Sequence, residues 1–190
     1  MSIGVEQSEH STVRTFGHGT LESAAFTSLL DGAQINCLVD VRSFPGSRHN
    51  PQFSRQTMEI RVPAANIDYL WMPELGGRRR PVDGSRHVAL RHVSCRAYAD
   101  YMETPEFHTS VESLLALADE RATTVMCSES VWWRCHRRLL SDYLVLVKDV
   151  KVEHLMHDGR LVPHILTDAV RLAEGGLIYD VGATSSLQAI

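Results

Sequence analysis

Apolar residues along this chain gather into short runs that alternate with segments of helical spacing. Val13 to Gly17 reads as a strand that closes at the tight turn Gly17-His18-Gly19-Thr20. Residues 21–33 carry Leu21, Ala25, Leu29 and Leu30 on one face and stop at Gly32, the pattern of an amphipathic helix. Asn36 to Val41 is almost wholly apolar, as in a strand covered on both faces, and it delivers Asp40 and Arg42 to the sheet's edge. A long polar loop (42–54), a weak helix over 54–61 ahead of Pro63, a strand at 67–72 and a second polar loop (73–87) follow. Helices are predicted over 92–103 and 105–121, with Thr104 as N-cap and Pro105 opening the second. Residues 121–127 read as a strand, 131–147 as a helix and 150–155 as a strand. The turn 157–160 then leads to a short helix near 163–174.

Strands alternating with helices predict a single-domain α/β protein, with a mostly parallel, Rossmann-like open sheet and helices on both faces in three layers. The expected domain spans 13–175, with loose tails at 1–12 and 180–190. A chain of 190 residues suits one domain. No apolar run approaches the roughly 18 residues of a membrane span. No signal-peptide pattern opens the chain, so a cytoplasmic protein is expected. Its four cysteines, at 37, 95, 127 and 135, form no dense framework and read as free thiols.

Net charge is −4 with histidine neutral, which argues against non-specific coating of nucleic acid. The arginines, however, are bunched at 78–80 and at 134, 137 and 138, while lysine occurs only at 148 and 151. Arginine in fixed positions favours bidentate recognition of carboxylate or phosphate, although an arginine-rich genome gives the same bias.

The stretch 125–140, VMCSESVWWRCHRRLL, concentrates chemistry at the end of a strand. In open α/β sheets, ligands occupy the crevice beyond the carboxyl ends of the strands. The catalytic candidates are Glu129 as general acid or base, with Asp40 and His18. The substrate-binding candidates are Arg42, Arg48, Glu74, Arg78, Arg79, Trp132, Trp133, Cys127, Cys135, His136, Arg137 and Arg138. Arginine forks and a helix N-terminus near residue 131 would hold a phosphate. An exposed tryptophan would stack a base, a contact worth about 1–3 kcal/mol. Plainer readings stand beside these. Asp40 with Arg42 forms a structural ion pair, the tryptophans a hydrophobic cap or subunit contact, and Glu129 a helix cap.

Thiol chemistry at Cys127 is a second reading. The strand-cysteine-helix order, with Arg134 seven residues on, resembles a phosphatase loop one residue too long. A metal site from His18, Cys127, Cys135 and His136 lacks the paired spacing zinc prefers, so no metal is expected. No dinucleotide or Walker motif is present, and no cofactor is expected.

TFGHGT (15–20), LVDVRSFPGSRHNPQFS (38–54), YLWMPELGGRRR (69–80), YADYMETPEF (98–107) and MCSESVWWRCHRRLL (126–140) together resemble the domain-of-unknown-function 488 family. The likeness runs over roughly 13–170, with Val152 to Leu155 and His164 matching its closing strand and helix. It implies a compact α/β fold with a polar site at one sheet edge. Its members carry DNA repair only as a passing label. Gly19 replaces a usual hydroxyl residue, and Val131-Trp132-Trp133 replaces an acidic-proline pair. The expected function is hydrolysis or transfer on a phosphate-bearing nucleotide or nucleic-acid substrate. A thiol enzyme and a non-catalytic binding module are the alternatives. The expected partners are a nucleotide-like small molecule or nucleic acid, with no membrane, and a homodimer as one assembly.

Overall fold

Six strands form one sheet, in the spatial order β3-β2-β4-β1-β5-β6. A computed structural model describes residues 12–46 and 49–182. The strands are β1 (Thr12–Gly17), β2 (Cys37–Asp40), β3 (Asp68–Trp71), β4 (Thr123–Cys127), β5 (Lys151–Leu155) and β6 (Leu161–Pro163). All pairings are parallel except that of β5 with β6. The helices are α1 (Ser23–Gly32), α2 (Arg55–Ala64), α3 (Val93–Tyr101), α4 (Pro105–Glu120) and α5 (Arg137–Leu146). A two-stranded hairpin, β7 (Val170–Ala173) and β8 (Gly176–Tyr179), ends the described chain.

The sheet is buried on both sides because its central strands are apolar at successive positions. Every residue of β2 and β4 is buried. One face packs Phe16, Leu38 and Met126 against Phe26 and Leu30 of α1 and Met58 and Val62 of α2. The other packs Val13, Val39 and Val125 against α3, α4 and α5. Burying one such side chain is worth about 1.5–3 kcal/mol, so these two layers carry the fold. In α4 the buried positions 107, 110, 111 and 114 follow helical spacing, and the Thr104 hydroxyl accepts from the Phe107 N–H at 3.3 Å.

Three sequence expectations are corrected. The helix predicted over 131–147 begins only at Arg137. Trp132–Arg134 forms a single 3-10 turn and Cys135 is extended (φ −116°, ψ 156°). Tertiary contacts override the apolar pattern there, since Trp132 turns inward onto His154 and Cys135 turns back toward Cys127. The second correction concerns 163–174, which is not a helix. Pro163 ends β6 and the two-residue Glu174-Gly175 turn, with Gly175 at φ +85°, closes the β7–β8 hairpin. Third, the core extends past residue 175, because Leu177 and Tyr179 pack into the α5 layer. Thr12 already belongs to β1, and Asp180 pairs with Arg171 at 2.6 Å, while 1–11 and 183–190 lie outside the described residues. Among the described residues no helix is long and apolar enough to cross a membrane.

Candidate active site

Strand β4 sits between β1 and β2, and the helices after those two strands cover the opposite face from the helix after β4. The connections therefore diverge at β4, leaving a crevice beyond its carboxyl end. A cleft of about 990 Å³ lies there, lined from β1 by His18, from β2 by Arg42, and from the β4–α5 loop by Cys127, Glu129, Arg134 and Cys135. Two glycines permit this closure. A Cβ on Gly17 would lie 1.8 Å from the Glu129 carbonyl oxygen, and one on Gly77 would lie 2.4 Å from the His136 ring.

On the β2 side, Asp40 is fully buried and fully engaged. Its Oδ1 accepts from the Arg42 backbone N–H at 3.0 Å and from Nε at 2.8 Å. Its Oδ2 accepts from Arg42 Nη2 and from the Tyr69 hydroxyl, both at 2.6 Å. Burial and the Asp40 carboxylate raise the Tyr69 pKa, so the phenol stays protonated as that donor. His18 completes the corner. Its Nδ1–H donates to the Gly19 carbonyl at 2.8 Å, which leaves Nε2 to accept from Arg42 Nη1 at 3.0 Å. Burial first, and the Arg42 charge second, hold the His18 pKa down at about 4, so the ring is neutral. It stacks on Phe53 at 4.0 Å. With all these groups committed, Asp40 and His18 act as positioning groups for Arg42, and neither is free to serve as a base. That favours the structural reading of the Asp40–Arg42 pair.

On the β4 side the arrangement differs. Cys127 and Cys135 bring their sulfur atoms to 3.1 Å. Cys127 is 3% exposed and its S–H also reaches the Glu129 carbonyl at 3.6 Å, whereas Cys135 is half-buried and borders the cleft. Arg137, 1% exposed, donates to the Glu129 carbonyl oxygen and, at 3.4 Å, to the Thr15 hydroxyl. Among the described residues it has no carboxylate partner in a salt bridge. A guanidinium so deeply buried demands a nearby anion. Burial alone would lower the Arg137 pKa, but Cys127 and Cys135 beside it raise it. The complement is seen in the thiols. Hydrogen bonding from Cys127 holds Cys135 well below the ordinary thiol range against the effect of burial, and His136 (Nδ1 to Sγ 3.4 Å) and Arg137 add to it. Burial pushes Cys127 well above that range. Of the two, Cys135 is therefore the more readily ionised, and Cys127 the one that keeps its proton and can donate it toward Cys135. Cys135 also lies two residues ahead of α5, where the helix dipole favours an anion.

Behind Arg137 a buried chain of hydrogen bonds crosses the protein. The Thr15 hydroxyl meets His154 Nδ1 at 2.7 Å, His154 Nε2 meets His164 Nδ1 at 3.0 Å, and His164 Nε2 meets Asp142 Oδ1 at 2.9 Å. With Asp142 as the final acceptor, every link has one donor and one acceptor when both rings are neutral: Arg137 to Thr15 to His154 to His164 to Asp142. Burial, the neighbouring His164 and Arg137 depress the His154 pKa to about 3. Thr167 and Tyr179 satisfy the other Asp142 lone pairs, at 2.7 and 3.0 Å to Oδ2.

The remaining candidates divide between three places. Arg78 and His136 line the cleft; Arg78 is exposed and its guanidinium lies 5.4 Å from the Phe44 ring. Glu129 is exposed there, with Oε1 accepting from the Val131 N–H at 3.3 Å. Arg79 turns away to donate to the Pro73 and Glu74 carbonyls and covers Tyr101 at 3.7 Å, and Glu74 faces solvent outside the cleft. Trp133 and Arg138 border a separate cavity of about 580 Å³, as does Trp132, which lies flat on His154 at 4.0 Å with an interplanar angle of 9°. Trp132 is therefore committed to packing. Arg48 lies outside the described residues. No α-helix begins near residue 131, where only the 3-10 turn of Trp132–Arg134 starts. Among the described residues no three His, Cys, Asp or Glu side chains converge as metal ligands would.

Sequence reasoning missed Tyr69, Thr15, Asp142, His154, His157 and His164 as members of this polar system. His157, which donates Nε2–H to the Gly17 carbonyl at 2.6 Å, lines the cleft from the turn after β5. A histidine inside an apolar strand, such as His154, was the available signal, since a buried imidazole needs partners.

The architecture defines a three-layer α/β protein with a thiol- and arginine-bearing cleft where its strand connections diverge. The chain belongs to the family described as Domain of unknown function DUF488, which it matches over residues 22–144, more than half its length. That span holds Asp40, Arg42, both cleft cysteines, Arg137 and Asp142, and leaves Thr15, His154 and His164 outside. No curated protein and no solved structure matches the chain.

Proposed function

We propose that this protein is a cysteine-dependent hydrolase or group transferase acting on a phosphate-bearing, nucleotide-like substrate, with Cys135 as nucleophile. The observation that carries this reading is the Cys135 sulfur on the cleft wall, 3.1 Å from that of Cys127, with a buried, carboxylate-free Arg137 behind it. Cys127, 3% exposed at the end of β4, lies too deep to reach a substrate, so the thiol reading moves from Cys127 to Cys135.

Arg78 and Arg134 at the rim supply the fork geometry that binds an anionic group, and Arg42 contributes its remaining N–H hydrogens from the side. The Cys135 thiolate attacks the electrophilic centre, forming an S–X bond as the leaving group departs with the bond's electron pair. A water deprotonated by Glu129 then attacks X and releases the thiolate, and the proton passes from Glu129 to solvent or to the departed group. In transfer, an acceptor hydroxyl or amine takes the place of that water.

The test is a panel of nucleoside phosphates and oligonucleotides assayed with wild type, Cys135→Ser and Glu129→Gln, each checked for an unchanged thermal midpoint. Cys135→Ser should lose all turnover and Glu129→Gln should accumulate a covalent adduct seen by intact mass. A fully active Cys135→Ser would return the chemistry to direct hydrolysis by Glu129-activated water. Stabilisation by a ligand without turnover would favour the binding-module reading.

A further inference from the structure

Cys127 has no role in the reaction just described, yet it is the group that touches the nucleophile most closely. Its sulfur lies 3.1 Å from that of Cys135, and a disulfide needs about 2.05 Å, so closing the bond asks for a movement of about 1 Å. Cys135 sits in the extended connection ahead of α5, preceded by a single 3-10 turn and outside any regular ladder, so its side chain can make that movement without breaking a helix or strand. Cys127 ends β4 and is fixed by the sheet. One thiol is thus open to the cleft and movable, while the other is buried behind it and static. This is the arrangement of an attacking and a resolving cysteine.

We propose that Cys135 and Cys127 form a reversible dithiol–disulfide pair that reduces hydroperoxides. The Cys135 sulfur attacks one oxygen of the peroxide, the O–O bond breaks, and the other oxygen leaves as hydroxide or alkoxide, giving a sulfenic acid. Cys127 then attacks the Cys135 sulfur, loses its proton and expels hydroxide, so that one disulfide and one water result. An external dithiol restores both thiols. Arg137 serves both steps, since a guanidinium within reach of the two sulfurs stabilises whichever carries the negative charge. Neither Cys37, buried in the strand β2, nor Cys95, on α3 and lining the same cleft, has a sulfur hydrogen-bonded to another sulfur. The proposal shares with the proposed function only the nucleophilic character of Cys135 and does not depend on the phosphate-bearing substrate.

The full-length protein, reduced and freed of reductant, is treated with hydrogen peroxide, blocked with N-ethylmaleimide and mapped as peptides without reduction. The expected result is a linked 127–135 peptide lighter by two hydrogens, with Cys37 and Cys95 alkylated, and its disappearance on adding dithiothreitol. In Cys127→Ser, dimedone should label Cys135 as the stranded sulfenic acid. Cys135→Ser should consume peroxide at least tenfold more slowly than wild type, with a thermal midpoint confirming that it folds. Phenylarsine oxide, which bridges two neighbouring thiols, tests the pair without any variant and should bind the unmutated protein one to one across these two residues. A linkage through Cys95, a linkage between chains, wild-type rates in Cys135→Ser, or no arsenic bridge would each overturn the proposal. Because the linked peptide is read without substrate, an inactive nucleotide panel leaves this result standing. Turnover without the linked peptide removes this proposal alone.

Discussion

Two arginines flank the end of β4, both nearly enclosed by protein, and they have been treated in opposite ways. Arg42 has Asp40 against two of its nitrogens, and the pair is closed by Tyr69 on one side and His18 on the other. Its charge is neutralised locally, and the corner is rigid and chemically quiet. Among the described residues Arg137 is met by a carbonyl, a hydroxyl and two thiols rather than a carboxylate. Thiols stand where Arg42 has a carboxylate, and Arg137 adds to the effect of Cys127 and His136 in drawing the Cys135 pKa down. A carboxylate beside one guanidinium closes its corner, whereas thiols beside the other leave a cysteine of lowered pKa on the cleft.

The comparison is broken most severely at the quiet corner. Asp40→Asn leaves Arg42 buried without its counter-ion, and a loss of about 3–5 kcal/mol of unfolding free energy is expected in urea titration. A loss below about 1 kcal/mol would mean that the two corners are equivalent after all. Acid should come next. His18 and His154 have folded pKa values of about 4 and about 3, below the ordinary 6.5. The unfolded chain therefore binds more protons, and the stabilisation is fully present above pH 6.5 and lost as pH falls toward 4 and 3. Thermal midpoints measured across that window should drop with a slope steeper than carboxylates alone produce, and His154→Phe should flatten it.

On the reactive side, Arg137→Met removes the cation while filling its space. Its effect should fall on the thiol, with Cys135 alkylation by iodoacetamide at pH 6 slower than in the wild type, because Arg137 adds to Cys127 and His136 in lowering its pKa. Unchanged alkylation would detach the thiolate from Arg137. The smallest effect is expected from Tyr69→Phe, which deletes one of four hydrogen bonds to Asp40 and should cost about 1 kcal/mol in the same urea titration.

The sheet was legible because strands such as β2 and β4 are continuous apolar runs, and α4 because Thr104-Pro105 announces its start. The loop ahead of α5 was not, since Val131 and Trp132 look like helix residues until His154, 22 positions further along the chain, claims the tryptophan. The hairpin after Pro163 was hidden by Leu166, Ala169 and Leu172, whose spacing suits a helix, although Glu174-Gly175 carried the turn signal. Cys127, Glu129, Arg42 and Asp40 were found because they cluster at strand ends. Asp142, His154 and His164 were not, because their pairing is a tertiary event between α5, β5 and the segment after β6 that no local spacing records. The distinction between Cys127 and Cys135 likewise rests on depth below the surface, which a sequence does not print.

The flat stacking of Trp132 on His154 has an optical consequence. Indole emission is sensitive to the protonation of an imidazole in van der Waals contact, and Trp132 is a direct extension of the loop that carries Cys135. Of the three tryptophans, it alone joins the loop to the buried histidine chain. The protein therefore carries its own fluorophore at the junction of its two networks, and loosening of the loop becomes visible as a change in colour and intensity without any added label.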